Sequence, residues 1–186
     1  MASVLVPLAQ GCEELEAVTV IDLLRRAKIN VVTAGLDNQP VRASRGTILV
    51  PDTTLEKALE QDYDMVVLPG GQPGADNLDG DSRVRELLKA MANSEKFTAA
   101  ICAAPKVLAN AGLLSGKHAT GFPGVLDKMG LADVTLQQDA VVQDGKVITS
   151  KGPGTAMDFA LILIENLAGK EVRDNVEAGL QRTYFS

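Results

Sequence analysis

The chain has 186 residues, 46% of them hydrophobic and 23% charged, enough to bury a substantial core in one domain over residues 1–186. A formal net charge of −6 and a pI near 4.8 argue against a nucleic-acid partner or an anionic membrane surface. Two cysteines, Cys12 and Cys102, are too few for a disulfide framework and fit a reduced, cytoplasmic setting.

The opening residues MASVLVPLAQGCEE carry no basic leader. They read as a first strand over 3–8, and neither as a signal peptide nor, at LAQGC, as a lipoprotein cleavage box. A helical pattern follows over 13–27, a second strand over 30–34, and a hairpin over 41–50 around Ser44-Arg45-Gly46. Next come a helix over 53–61, a strand over 64–68, a helix over 83–93, a strand over 97–101 and a helix over 104–111. Residues 134–150, with Asp144-Gly145 inside, read as an antiparallel pair. A Gly152-Pro153-Gly154-Thr155 turn precedes helices over 156–167 and 171–180. The apolar run 159–164 is interrupted by Glu165 and is too short to span a bilayer. Apolar strands alternating with helices predict an α/β fold: a mostly parallel central sheet with helices on both faces.

The first helix has an unusual stripe. Glu16, Val20, Leu23 and Ala27 share one face, so a carboxylate opens an otherwise apolar row. Asp22 and Arg26 are spaced to pair on another face. Glu13 and Glu14 need no explanation beyond favourable dipole chemistry at a helix start. Glu16 must either be protonated or face a polar cleft, because an unpaired buried charge is costly. In parallel sheets, sites form beyond the carboxyl ends of strands. The loops 9–13 and 69–74 and the junction at Cys102 all meet that condition, so Glu16, Gly70-Gly71 and Cys102 should converge.

Ala100-Ile101-Cys102-Ala103-Ala104 has small residues flanking a central thiol, the pattern of a nucleophile elbow. Pro105 suits the first turn of a helix. That would put Cys102 at a helix start, where the dipole and free N–H groups favour a thiolate. A buried structural cysteine is the competing reading. Paired glycines at 70–71 can offer N–H groups to an oxyanion, or simply make a strand-to-helix turn. No dinucleotide or Walker phosphate-binding motif occurs, and one histidine with two distant cysteines makes a poor metal set, so neither cofactor nor metal is expected.

Taken together, several blocks resemble the ThiJ/PfpI superfamily, with the class I glutamine amidotransferase-like fold. They are Glu13-Glu14-Leu15-Glu16-Ala17 with Asp22-Leu23-Leu24-Arg25-Arg26, Val67-Leu68-Pro69-Gly70-Gly71, residues 99–105 and residues 149–155. The match is nearest to the Parkinson-disease-protein branch and its ThiJ/YajL-type relatives. The resemblance implies a flavodoxin-like sandwich, a homodimer, and Cys102 as an oxidisable nucleophile hydrogen-bonded by Glu16. Gly71 and Ala103 would be backbone donors. Arg26 and Arg45 would lie near the site mouth and bind anions across the dimer, with Gly70 and Phe122 also facing the substrate.

The implied activity is cofactor-free glyoxalase chemistry on methylglyoxal-type 2-oxoaldehydes, or deglycase-type hydrolysis of glycated amines or thiols. The alternative is a redox-sensing chaperone or stress-response protein. Many relatives carry a histidine where Phe122 stands here, and the ThiJ/YajL-type relatives share the phenylalanine. His118, the only histidine, would lie about 13 Å from residue 122 along an extended segment, too far to substitute. Without a histidine, a coupled pair of Cys102 thiolate and protonated Glu16 would carry the chemistry. The loop holding Cys12 could lie near the site or at the dimer interface, which leaves a resolving-thiol role for Cys12 open.

Overall fold

The computed structural model describes residues 1–182. Its first half contains β1 (Ser3–Leu8), α1 (Glu14–Arg26), β2 (Asn30–Gly35), β3 (Val41–Arg42), β4 (Ile48–Leu49), β5 (Thr53–Thr54), α2 (Leu55–Ala58), β6 (Met65–Leu68) and α3 (Gln72–Gly80). Then follow α4 (Ser82–Asn93), β7 (Phe97–Ile101), α5 (Pro105–Asn110), β8 (His118–Ala119), β9 (Thr135–Leu136), β10 (Val141–Asp144), β11 (Val147–Ser150), α6 (Ala156–Ala168) and α7 (Lys170–Gly179).

Seven strands form one sheet in the order β10-β11-β7-β6-β1-β2-β5. Every neighbouring pair is parallel except β10, which returns antiparallel to β11. The strands are apolar on both faces because both faces are covered: β6 is wholly buried, and β7 is buried from Thr98 onward. One group of helices, α1, α6 and α7, packs together; α3, α4 and α5 form a second group. The chain builds outward from β1 to β2 on one side and to β6 on the other. The order therefore reverses between β1 and β6, and the crevice at their carboxyl ends is a topological switch point.

The expected α/β sandwich is present, and three local elements differ from expectation. The helix expected over 53–61 is only one turn, because Thr53–Thr54 instead pairs with Ala34–Gly35 as an edge strand. Asp52 fixes that edge by accepting hydrogen bonds from the Thr33 N–H (2.9 Å), the Thr33 hydroxyl (2.8 Å) and Arg25 (2.8 Å). The hairpin expected over 41–50 does form, as a two-stranded ribbon separate from the main sheet, Val41 opposite Leu49. Residues 134–136 do not extend the antiparallel pair: Thr135–Leu136 pairs in parallel with His118–Ala119. Finally, α3 forms where the sequence reads as a loop running to Gly74. Pro73 is tolerated in its first turn. Gly74 is required there by contact rather than by backbone freedom, since a Cβ would lie 2.5 Å from Cys12 Cα.

Phe159 of α6 is the largest fully buried side chain. Phe122 is 48% exposed. Phe159→Ala is therefore expected to lower the unfolding free energy by about 3–5 kcal/mol, through lost transfer energy plus a residual cavity. Phe122→Ala should cost under about 1 kcal/mol by the same reasoning. Urea titration of both variants checks this; equal losses would contradict the packing described.

Candidate active site

The site begins where β7 ends. Cys102 has φ +63°, a left-handed conformation that non-glycine residues rarely adopt. Hydrogen bonds on both sides hold it there: its N–H donates to the Ser150 carbonyl (2.9 Å), and its carbonyl accepts from the Phe122 N–H (2.7 Å). The chain then turns through Ala103 and Ala104 into α5. Small residues are needed because the neighbours are close. A Cβ on Gly70 would lie 2.6 Å from Cys102 Cβ and 2.7 Å from a Glu16 carboxylate oxygen. Glu16, Gly70 and Cys102 thus occupy one point, brought there by α1, β6 and β7.

Glu16 is completely buried. Its backbone N–H donates to the Glu13 carboxylate (2.9 Å), which caps α1. One side-chain oxygen, Oε2, accepts from the Gly70 N–H at 2.8 Å. The other, Oε1, has no partner at hydrogen-bond geometry. Burial pushes the carboxyl up to about 7; the adjoining Cys102 thiol and the Gly70 N–H pull it down, and the Glu13 charge pushes it up.

The Cys102 thiol is pushed up to about 12, by burial first and then by the charge of Glu16. The N–H groups of Gly71 and Ala103 oppose this by facing the sulfur. At the expected pair of Cys102 thiolate and protonated Glu16, burial and any charge on Glu16 act against the thiolate, and the two backbone N–H groups act for it. Helix α5 starts at Pro105, three residues beyond Cys102, and is six residues long. The thiol and the carboxyl form one acid–base pair in which a negative charge on either partner disfavours one on the other.

Gly71 supplies its donor from a strained position. Its φ is +84°, and a Cβ would lie 2.4 Å from the Gly11 carbonyl oxygen. The two switch-point loops are laced together by Glu13 N–H to Gly70 carbonyl (2.9 Å) and Gly74 N–H to Gly11 carbonyl (3.1 Å). Cys12 sits behind this lacing, with no exposed surface. Its thiol is pushed up to about 12 by burial, Glu14 and Glu13.

The remaining expected residues fall in different places. Arg45 lies in the tip of the β3–β4 ribbon. Its backbone N–H donates to both Glu14 carboxylate oxygens (3.0 Å each), joined by Ser44 Oγ (3.1 Å) and the Thr47 N–H (3.3 Å). Burial would raise the Glu14 carboxyl, but the N–H groups around it, including those of Arg45 and Thr47, hold it down to about 2. Glu14 is thus more than a dipole carboxylate: it anchors a loop some thirty residues away, a partner that no local pattern signals. Arg26 pairs with Asp22 (2.8 Å) at the other end of α1. Ten residues separate it from Glu16, about 15 Å along the helix axis, so within one protomer it stands away from the site mouth. Phe122 packs against Gly152, where a Cβ would be 3.4 Å from its ring. His118 is engaged by Asp144 through its N–H (2.9 Å) and ring nitrogen (3.3 Å), away from Cys102. Among the described residues, no group of three or more His, Cys, Asp or Glu side chains could hold a metal ion, and no helix is long and apolar enough to cross a membrane.

The sequence model described as the DJ-1/PfpI family matches residues 2–166. The Parkinson disease protein 7 homolog of Danio rerio is 46% identical over 179 residues, covering 95% of each chain. A protein of Caenorhabditis elegans named glutathione-independent glyoxalase DJR-1.2 is 38% identical over 170 residues, covering 91% of this chain and 90% of that protein. The crystal structure of Drosophila melanogaster DJ-1beta superposes with a TM-score of 0.92 at 44% identity, covering 98% of this chain and 99% of that one.

The buried carboxyl has a consequence for stability. Unfolded, Glu16 loses its proton near 4.5; folded, near 7. Between those values only the native state keeps the proton, so stability falls as pH rises from 4.5 to 7 and levels off above. At about 1.4 kcal/mol per pKa unit the ceiling is roughly 3 kcal/mol. Glu16→Gln keeps the acceptor for Gly70 and removes the charge. It should therefore match wild type near pH 4.5 and exceed it at pH 8, as read by urea unfolding at both values. Parallel pH dependence of the two proteins would contradict the assignment.

Proposed function

The chain belongs to the DJ-1/PfpI family, and on that premise we propose that it is a cofactor-free, cysteine-dependent enzyme acting on methylglyoxal-type 2-oxoaldehydes or their adducts. The observation that carries this reading is the pairing of Cys102 with a wholly buried Glu16 whose Oε1 lacks a partner, while two backbone N–H groups face the sulfur. A carboxyl near 7 gives and takes a proton at neutral pH, which is what general acid–base work requires. The C. elegans relative is named a glutathione-independent glyoxalase.

The proposed reaction starts from thiol and carboxylate. As the sulfur attacks the aldehyde carbon, Glu16 Oε1 takes the thiol proton, and the developing oxyanion is held by the Gly71 and Ala103 N–H groups. Protonation of that oxygen by Glu16 yields a hemithioacetal. Glu16, again a carboxylate, removes the proton from the former aldehyde carbon to give an enediol-like state. It then returns that proton to the neighbouring carbon while the hydroxyl proton passes from the first oxygen to the second, which leaves a thioester of a 2-hydroxy acid. Water adds to the thioester, the hydroxy acid departs, and the sulfur recovers its proton. Substrate plus water becomes hydroxy acid with no net oxidation, so no external redox partner is required.

A second copy of the chain is part of the proposal. Leu15 and Val18 of α1 are exposed, as are Ile48 of the neighbouring ribbon and Val50 just beyond it. The Glu14 bonds to residues 44–47 hold that ribbon beside the start of α1. Apolar side chains from two tethered elements form the kind of surface that a homodimer covers.

Cys102→Ser should abolish methylglyoxal turnover with unchanged circular dichroism, whereas Cys12→Ser should retain most of it. Turnover that survives in Cys102→Ser would overturn the nucleophile assignment, and a reduced wild type without turnover would favour the non-enzymatic, redox-sensing reading. Val18→Glu should convert a sedimenting dimer to monomer; a wild-type protein that sediments as a monomer at micromolar concentration would remove the dimer from the proposal.

A further inference from the structure

The two N–H groups facing the Cys102 sulfur come from the starts of two different helices. Gly71 caps α3, and Ala103 immediately precedes the cap of α5. Their spacing is therefore set by how α3 and α5 sit against each other. Those helices follow the parallel neighbours β6 and β7 and pack together. Two polar rungs join them. The Lys106 ammonium in the first turn of α5 donates to Asp76 of α3, and one turn further along, Asn110 Nδ2 donates to Asp79 at 2.7 Å. Asn77, between the two acids, donates to the Gln10 carbonyl at 2.8 Å and so ties α3 to the loop after β1.

Lys106 is an odd residue to find here. A cation gains nothing from the dipole at a helix start, and its side chain is only 15% exposed. Burial lowers its affinity for a proton. Asp76, by contrast, is half exposed and also accepts from Gln72. An isolated surface ion pair would contribute little, but this one spans the two helices that carry the donors, four residues after the reacting sulfur.

We infer that the Lys106–Asp76 bridge, backed by Asn110–Asp79, is a positioning device that holds the Gly71 and Ala103 N–H groups at the spacing a negatively charged sulfur or substrate oxygen needs. Neither Lys106 nor Asp76 touches the reacting atoms. They act through the backbone donors, so removing either lets α3 slide against α5 and weakens both N–H contacts at once. The inference rests on Cys102 being the reacting residue, and it concerns sulfur reactivity whatever the substrate proves to be.

The test measures the rate at which iodoacetamide alkylates Cys102 at fixed pH, read on the Cys102 peptide by mass spectrometry. The proteins are wild type, Asp76→Asn, Lys106→Met and the double variant, with Asp76→Glu as the conservative control. Each single variant should slow alkylation about tenfold, equivalent to one pKa unit, the double variant no more than either single, and Asp76→Glu less. Turnover of methylglyoxal should lose kcat about tenfold, with KM within twofold. A simple electrostatic field would instead split the signs: Asp76→Asn would speed alkylation and Lys106→Met would slow it. That outcome, or unchanged rates in both singles, overturns the inference. So would faster alkylation accompanied by a large fall in Tm, which would indicate general loosening. If Lys106→Met fails to fold, Asp76→Asn alone still decides between the two signs. If wild type shows no turnover, the proposed enzymatic function fails, while the alkylation series still judges the bridge.

Discussion

The site depends on one constraint: a carboxyl with no access to water stands beside a nearly buried sulfur, and a negative charge on either disfavours one on the other. Glu16 Oε2 is satisfied by the Gly70 N–H, leaving the buried Oε1 without a hydrogen-bond partner. Burial raises both the carboxyl and the thiol, so the two groups titrate as one coupled pair. His118, the one histidine of the sequence, is engaged by Asp144, so Glu16 is the acid–base group that adjoins the sulfur.

The surrounding fold is arranged so that this pair stays dry and close. The reversal of strand order between β1 and β6 opens a crevice into which α1 and the loop after β6 both project. Positions 70, 71 and 74 admit no side chain because backbone or functional atoms lie within 3 Å of where a Cβ would be. The left-handed turn at Cys102 is held from Ser150 on one side and Phe122 on the other. Strain at Cys102 is thereby distributed over two neighbouring segments, which is how such geometry persists.

Polar bonds between distant segments complete the assembly. Glu14 anchors the tip of the β3–β4 ribbon, Asp52 anchors the edge strand, and the acids and amide of α3 reach α5 and the loop after β1. Each joins residues about 20 to 70 positions apart. They lie on the surface or at its margin, where each contributes little to global stability. Their effect is on register, keeping short elements with few apolar contacts in one arrangement.

The sequence by itself determined the α/β class, the four principal parallel strands, and the convergence of Glu16, Gly70-Gly71 and Cys102. Those features rest on local periodicity and on small residues at strand ends, and both are written in neighbouring positions. Only the tertiary structure decided how strongly burial acts on the pair, because burial depends on what α1, β6 and β7 place around the two groups. It likewise decided the helical state of residues 72–80, where Pro73 and Gly74 weaken the local signal and the contact between Gly74 and Cys12 explains the glycine. The separation of Arg26 from Glu16 follows from helix rise once both are known to lie on one unbroken helix. The partners of Glu14, Asp76 and Lys106 were invisible for the same physical reason: a carboxylate or ammonium on a solvated face looks alike in sequence whether its partner is water or a group thirty residues away.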